Sequence, residues 1–161
     1  MSSFVVMGTD HRMQNSERGF EGMLRAWAST PFILPLVAIA EEYDDKIGHS
    51  IGKRLAAELG VRWHNFDMTT EERHKAGIME EQLSRPTSTD DVAYRIPSDV
   101  VRERAWIEKL TKPGSGTTIV ICGYVHYKAL VRKLRADGHS VDGRVYLDYI
   151  PEIRDFSEPI G

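Results

Sequence analysis

The sequence predicts a three-layer α/β fold, a largely parallel sheet with helices on both faces, and three observations carry that expectation. Strand-like and helix-like stretches alternate along the chain with few hairpin signals between them, as in successive βα units. The first strand-like stretch is short and apolar on successive residues, the pattern of strands covered on both faces. Two hydrophobic runs lead directly into Gly8-Thr9-Asp10-His11 and Gly123-Tyr124-Val125-His126. In each, a glycine lets the chain turn sharply, and the histidine three residues on can overhang the sheet's carboxyl edge, where open α/β sheets bind ligands.

Taken in order, Ser3 to Met7 reads as the first strand. Phe20, Met23, Leu24 and Trp27 recur at helical spacing and form one apolar stripe, which Pro31 ends. A second strand, Ile33 to Ala40, delivers Glu41, Glu42, Tyr43, Asp44 and Asp45 to its carboxyl end. Ile51, Leu55 and Leu59 mark the next helix, closed by Gly60. Val61 to Phe66 reads as a third strand with Asp67 after it, and Thr69 with Glu72 has the spacing of a capping box. The helix it opens is expected to continue across Gly77 to Leu83.

Residues 85–97 turn to Pro, Thr, Ser and Asp and read as a polar loop without an element of its own, either a lid or a surface excursion. Ser98 or Asp99 caps a helix from Val100 to Lys112, which Pro113-Gly114-Ser115-Gly116 breaks. Thr117 to Cys122 is the fourth strand, and Val125, Ala129, Leu130 and Leu134 give the inner face of the helix that follows. Val141 to Asp148 supplies a last strand, leaving 151–161 as a short tail.

A chain of 161 residues fits one domain, 1–161, large enough to bury a core without disulfide or metal staples. Its formal charge of -3 argues against a nucleic-acid partner, since phosphate neutralisation needs a basic surface. Cys122 is the single cysteine, which excludes an internal disulfide and a zinc site of several thiolates. At the end of an apolar strand it reads as buried and inert. The first residues run into Phe4-Val5-Val6-Met7 with no signal-type segment, and no stretch approaches transmembrane length. The expectation is a cytoplasmic protein with no membrane partner.

Right-handed crossovers bring the carboxyl ends of parallel strands to one edge, so His11, Glu41, Glu42, Asp67 and His126 should gather there. Two imidazoles with a carboxylate suit a divalent transition metal, Zn, Mn, Co or Fe, better than calcium. Such an ion activates water near neutral pH while a nearby glutamate takes the proton, the elements of carbonyl or phosphoryl hydrolysis. His11 and His126 are the candidate metal ligands. Glu41 or Glu42 is the candidate ligand or base, and one alone is expected in the site because neighbours on a strand point to opposite faces. Arg102, in Arg102-Glu103-Arg104, is either part of a solvated helix face or the group that orients a substrate anion. His49, His64, His74 and His139 read as surface or structural groups, and Trp63 and Trp106 as core.

These residues resemble the TraB/Tiki group and its ChaN-like and erythromycin-esterase-like relatives. The resemblance rests on Gly8 with His11, Glu41 or Glu42 after Val37-Ala38-Ile39-Ala40, Arg102-Glu103 with Trp106-Ile107, and Gly123 with His126. It touches almost the full length through short motifs. It implies an α/β fold with a site at the strand ends and, in some members, metal-dependent hydrolysis of peptides or esters, while others bind haem. The chain departs from that pattern in having two adjacent glutamates where one is expected. The first functional expectation is a metal-dependent hydrolase acting on a small-molecule or peptide substrate. The alternatives are a module binding a nucleotide, phosphate or haem, with Arg102 or Lys128 supplying charge at the helix start near Tyr124, or an interaction protein with a vestigial site.

Overall fold

The structure, a computed structural model, describes residues 2–44, 48–89, 91–112 and 114–158. Asp45 of the acidic run, Pro113 of the predicted helix breaker and residues 159–161 of the predicted tail lie outside that set.

Five strands form one parallel sheet: β1 (Ser3–Thr9), β2 (Leu36–Glu41), β3 (Arg62–Asn65), β5 (Thr117–Gly123) and β6 (Ser140–Tyr146). Their spatial order is β3-β2-β5-β1-β6, so β1 and β5 are central and both Gly-x-x-His segments leave the middle of the sheet side by side. Gly8 pairs with Cys122 and Thr9 with Gly123. β2 lies on the other side of β5, with Glu41 opposite Ile121, so the acidic pair emerges beside the second motif.

The continuous apolar runs divide residue by residue between two cores. Val5, Met7, Ile39, Ile119 and Ile121 face Met13 of α1 (Met13–Ser16), Phe20 and Leu24 of α2 (Arg18–Ala28) and Ile51 and Leu55 of α3 (Ile51–Leu59). Phe4, Val6, Ala40, Val120 and Cys122 face the opposite way. They meet Phe66 and Met68, Trp106 and Leu110 of α5 (Pro97–Leu110), and Leu130 and Leu134 of α6 (Tyr124–Ala136). This is the predicted three-layer arrangement. Among the described residues no helix is long and apolar enough to cross a membrane.

Local signals set several boundaries as expected. Ser50 caps α3 by accepting from the Lys53 N–H, and Gly60 ends it with φ of 66°. Thr69 and Glu72 form the capping box of α4 (Thr70–Lys75). That helix does not continue to Leu83: the chain turns through Gly77 at φ 77°, and Glu80–Leu83 is a separate 3₁₀ turn. The second strand begins at Leu36 rather than Ile33, whose side chain is fully exposed. α5 starts at Pro97, which needs no N–H in the first turn, and Asp99 accepts from the Ile96 N–H. Neither Ser98 nor Asp99 is the capping residue itself.

The largest departure lies in the predicted loop and tail. Residues 85–97 include β4 (Val92–Arg95), and residues 151–161 include β7 (Glu152–Asp155); the two pair in parallel, Val92 with Glu152 through Arg95 with Asp155. Each is four residues long, Val-Ala-Tyr-Arg in β4 and Glu-Ile-Arg-Asp in β7, too short for a strand signal by itself, and each satisfies the other's backbone from 60 residues away.

Gly8 illustrates how tightly α6 lies on β1. A Cβ there would stand 2.7 Å from the Tyr127 Cβ. Gly8→Ala is therefore expected to lower stability by about 1–3 kcal/mol through overpacking, measured by urea denaturation.

Candidate functional site

Glu42 is the centre of the cluster at the strand ends. It follows β2, is 5% exposed, and uses both carboxylate oxygens. Oε2 accepts the Gly123 N–H at 2.8 Å. Oε1 lies 3.5 Å from His11 Nε2, 3.7 Å from His126 Nε2 and 3.1 Å from Arg102 Nη2. The two histidines thus face one carboxylate oxygen. Gly123 permits this approach, since a Cβ there would lie 3.3 Å from both Glu42 Oε2 and His11 Nε2.

The other ring nitrogen of each histidine is tied to an oxygen. His11 Nδ1 is 2.6 Å from Gln14 Oε1, and His126 Nδ1 is 3.1 Å from Glu103 Oε1. Since an amide oxygen and an ionised carboxylate can only accept, these contacts assign the proton to Nδ1 and leave Nε2 for Glu42 or whatever enters between them.

Four residues of the predicted edge set, His11, Glu42, Asp67 and His126, are therefore brought together, and Arg102 joins them. Arg102 Nη2 donates to Asp67 Oδ2 at 2.9 Å, and its Nη1 lies 3.5 Å from Asp99 Oδ1. Its guanidinium stands over the Trp106 ring, 4.9 Å from the centroid, while Trp106 Nε1 donates to Asp67 Oδ1 at 2.8 Å. Arg102 is no solvated helix face; it is enclosed among carboxylates.

Glu41 takes the opposite side of β2. Ser50 Oγ, Trp63 Nε1 and Gln14 Nε2 all donate to it beneath α3, and a Cβ on Gly52 would lie 2.8 Å from its Cδ. Burial raises its pKa against those hydrogen bonds, whereas Glu42 is held well below the ordinary carboxylate range. For Glu42 burial opposes ionisation, and the neighbouring His126, His11 and Arg102 overcome it. One strand turn thus separates the two adjacent glutamates into a site group and a structural group.

Asp99 and Glu103 belong to the cluster without having been singled out as site residues. Asp99, Arg102, Glu103 and Trp106 share one face of α5 at helical spacing, a polar stripe with a tryptophan at its end. That periodicity is the signal by which the sequence could have disclosed them. Asp99 pairs with Arg85, and Glu103 receives Arg95 through Nη2 at 2.7 Å and Nε at 3.1 Å. Four carboxylates, Glu42, Asp67, Asp99 and Glu103, face three guanidiniums, Arg85, Arg95 and Arg102, so the cluster has one more formal negative charge than positive.

The cluster opens into a cleft of about 580 Å³ whose wall includes His11, Glu42, Asp67, Arg85, Arg102 and His126. Ser88, Ala93 and Tyr94 close it on the side of the predicted lid segment. His49 and His74 are exposed, His139 packs edge-on against Phe4, and among the described residues both ring nitrogens of His64 lack a hydrogen-bond partner in its half-buried position on β3. Trp106 is core, fully buried beside His126, whereas Trp63 serves Glu41. Cys122 is buried beneath the cluster, and burial pushes its thiol pKa well up. Among the described residues no group of three or more His, Cys, Asp or Glu side chains is already drawn together as a metal shell.

The excess negative charge has a measurable consequence at His11. Burial alone would lower its pKa, but Glu42, through charge and hydrogen bonding, with Gln14, raises it to about 9. Because this value lies above the unfolded value of about 6.5, His11 takes up a proton on folding. Its contribution to stability is complete below about pH 6.5 and is lost as pH rises through about 9. An NMR titration of the metal-free protein is expected to place the His11 midpoint near 9, and stability measured by urea denaturation is expected to fall between pH 7 and 10.

No protein-family model matches the chain, no curated protein matches its sequence, and no solved structure matches its fold.

Proposed function

We propose that the cleft is the active site of a hydrolase dependent on a divalent transition metal and acting on a small-molecule or peptide substrate, with His11 and His126 as ligands through Nε2 and Glu42 through Oε1. The observation that carries this reading is the common aim of two Nε2 atoms at one carboxylate oxygen, with each Nδ1 secured from behind. Carboxylate or amide partners behind metal-bound imidazoles fix ring orientation and raise ligand basicity. Ligand atoms placed about 2.1 Å from a tetrahedral ion are about 3.4 Å apart, close to the 3.5 and 3.7 Å found between Glu42 Oε1 and the two Nε2 atoms. The negative excess of the cluster favours a cation in the same place. The motif resemblance to the TraB/Tiki group points the same way.

An ion bound there supplies Lewis acidity toward water and toward a carbonyl or phosphoryl oxygen. The chain's own residues supply the rest. Glu103 and Gln14 hold the imidazoles with Nε2 outward, and the Gly123 N–H steadies Glu42. Arg102 keeps Asp67 and Asp99 as partners when Glu42 turns to the ion, so its charge remains at the cleft wall to orient a polarised or anionic substrate group. The buried single thiol suits a reducing cytoplasm, where we place the protein.

Cobalt titration followed by visible absorption tests the assignment. One ion is expected to bind per chain with release of a proton near pH 7, because His11 must give up its proton to become a ligand. His11→Ala and His126→Ala are each expected to abolish that binding. An unchanged titration in both variants would overturn the metal site.

A further inference from the structure

The chain His126–Glu103–Arg95 does not stop at the cleft. Arg95 is the last residue of β4, and both sides of its guanidinium are used. One side grips Glu103 through Nε and Nη2; from the other, Nη1 reaches Asp155 Oδ2 at 3.0 Å and Ser157 Oγ. Asp155 is the last residue of β7, directly opposite Arg95 in the ladder, and the Phe156 N–H returns to the Arg95 carbonyl at 2.7 Å. Tyr94 and Phe156 stack with ring centroids 6.1 Å apart, and the Asp155 carboxylate accepts the Ser157 N–H at 2.9 Å. Arg95, Glu103 and Ser157 are each under a tenth exposed.

Among the described residues, Glu103 Oε1 is shared by Arg95 Nε and His126 Nδ1, and its Oε2 accepts from Arg95 Nη2. A carboxylate held by two parallel guanidinium bonds is fixed in plane as well as in position. Its remaining lone-pair direction on Oε1 is what selects the Nδ1–H form of His126 and turns Nε2 toward Glu42.

We infer that the small β4–β7 sheet is a positioning device for His126: Asp155 and Ser157 hold Arg95, Arg95 holds Glu103, and Glu103 keeps a proton on Nδ1 and sets the ring orientation of His126. The segment read from sequence as a loop and tail is thereby part of the site, although none of Arg95, Asp155 or Ser157 lines the cleft. Their contribution is to leave the Nε2 lone pair of His126 pre-aimed, so that no reorganisation is needed when a ligand or proton arrives. This rests on the proposed role of His126, but the tautomer itself is a property of the metal-free protein.

The test is a long-range proton–nitrogen spectrum of metal-free protein carrying ¹⁵N-histidine, with His126→Gln used to assign the His126 signals. The parent protein is expected to show a proton held on His126 Nδ1 toward Glu103. Arg95→Met is expected to show that Nδ1 proton lost in part, with cobalt affinity falling about 10- to 100-fold. Asp155→Asn and Ser157→Ala, which leave the Arg95 side chain present but loosen its hold, should move both readouts in the same direction by less, and Arg95→Lys should restore them only in part because one ammonium cannot bind both oxygens in plane. If Arg95→Met proves unfolded, the Asp155 and Ser157 variants decide alone. A parent tautomer carrying its proton on Nε2, or folded variants with an unchanged tautomer, would overturn the inference while leaving cobalt binding intact. Loss of the Nδ1–H form in the variants of a protein that never binds cobalt would uphold it and discard the metal.

Discussion

Glu42→Ala is expected to lower folding stability by about 3 kcal/mol near neutral pH, the lower part of the range for removing one member of a buried ion pair. The cost arises because Glu42 is the shared acceptor of Arg102, His11, His126 and the Gly123 N–H. It stays at the lower part because Arg102 retains Asp67 at 2.9 Å and Asp99. With the carboxylate gone, the His11 midpoint is expected to drop from about 9 to the ordinary histidine range near 6.5, since Glu42 supplies most of the attraction that opposes burial. Cobalt binding should disappear in the same variant. Urea denaturation and a histidine NMR titration check the first two effects; a His11 midpoint still near 9 would show that another group carries the negative charge of the cleft.

Trp106→Ala is expected to cost more, about 3–5 kcal/mol, because it empties the centre of the core on the α5–α6 side of the sheet. Trp106 is fully buried; it packs edge-on against Phe66 and against the His126 ring at 4.6 Å. It also carries two site contacts, the indole N–H to Asp67 and the face beneath Arg102. Trp106→Phe separates the roles. It keeps most of the apolar volume and the ring face, and is expected to cost about 1–3 kcal/mol through the lost donor to Asp67. Alanine and phenylalanine variants of equal stability would mean that the tryptophan acts only through its N–H. A Trp106→Ala loss below 1 kcal/mol would contradict its place in the core.

The two predictions meet at the same residues, which is the physical character of this site. Its polar groups are mounted on the most buried parts of the fold: Glu42 beside the central strands, His126 on the first turn of α6, Glu103 and Trp106 on the inward face of α5. Loss of a site group is therefore felt as loss of stability, and proteolysis or denaturation should be measured beside any activity assay.

Much of this was legible before any coordinates. Apolar runs ending in Gly8 and Gly123, separated by amphipathic stripes, contained the parallel sheet, its two covered faces and the edge where His11, Glu42 and His126 meet. The rule that strand neighbours face opposite ways left Glu41 and Glu42 equivalent; only the burial of Glu41 beneath α3, under the Ser50 hydroxyl and the Trp63 indole, separates them. The extension of α4 to Leu83 failed because one positive-φ glycine outweighed the helix-forming residues after it. Asp99 and Glu103 were hidden because charged residues on a helix ordinarily mark its solvated face.

The sequence by itself determined the elements that local chemistry specifies: the periodicities, the capping box at Thr69 and the cap at Gly60, whereas the sharp turn expected at Gly8 is not made there, since Gly8 stays in β1 and the strand runs on to Thr9. Only the tertiary structure decided which glutamate joins them, that three arginines are enclosed among four carboxylates, and that β4 and β7 pair across 60 residues to place Arg95 behind Glu103. The reason is that a four-residue strand or a charged helix position has no preferred partner of its own. Its conformation is chosen by the hydrogen bonds and opposite charges that the rest of the fold brings to it.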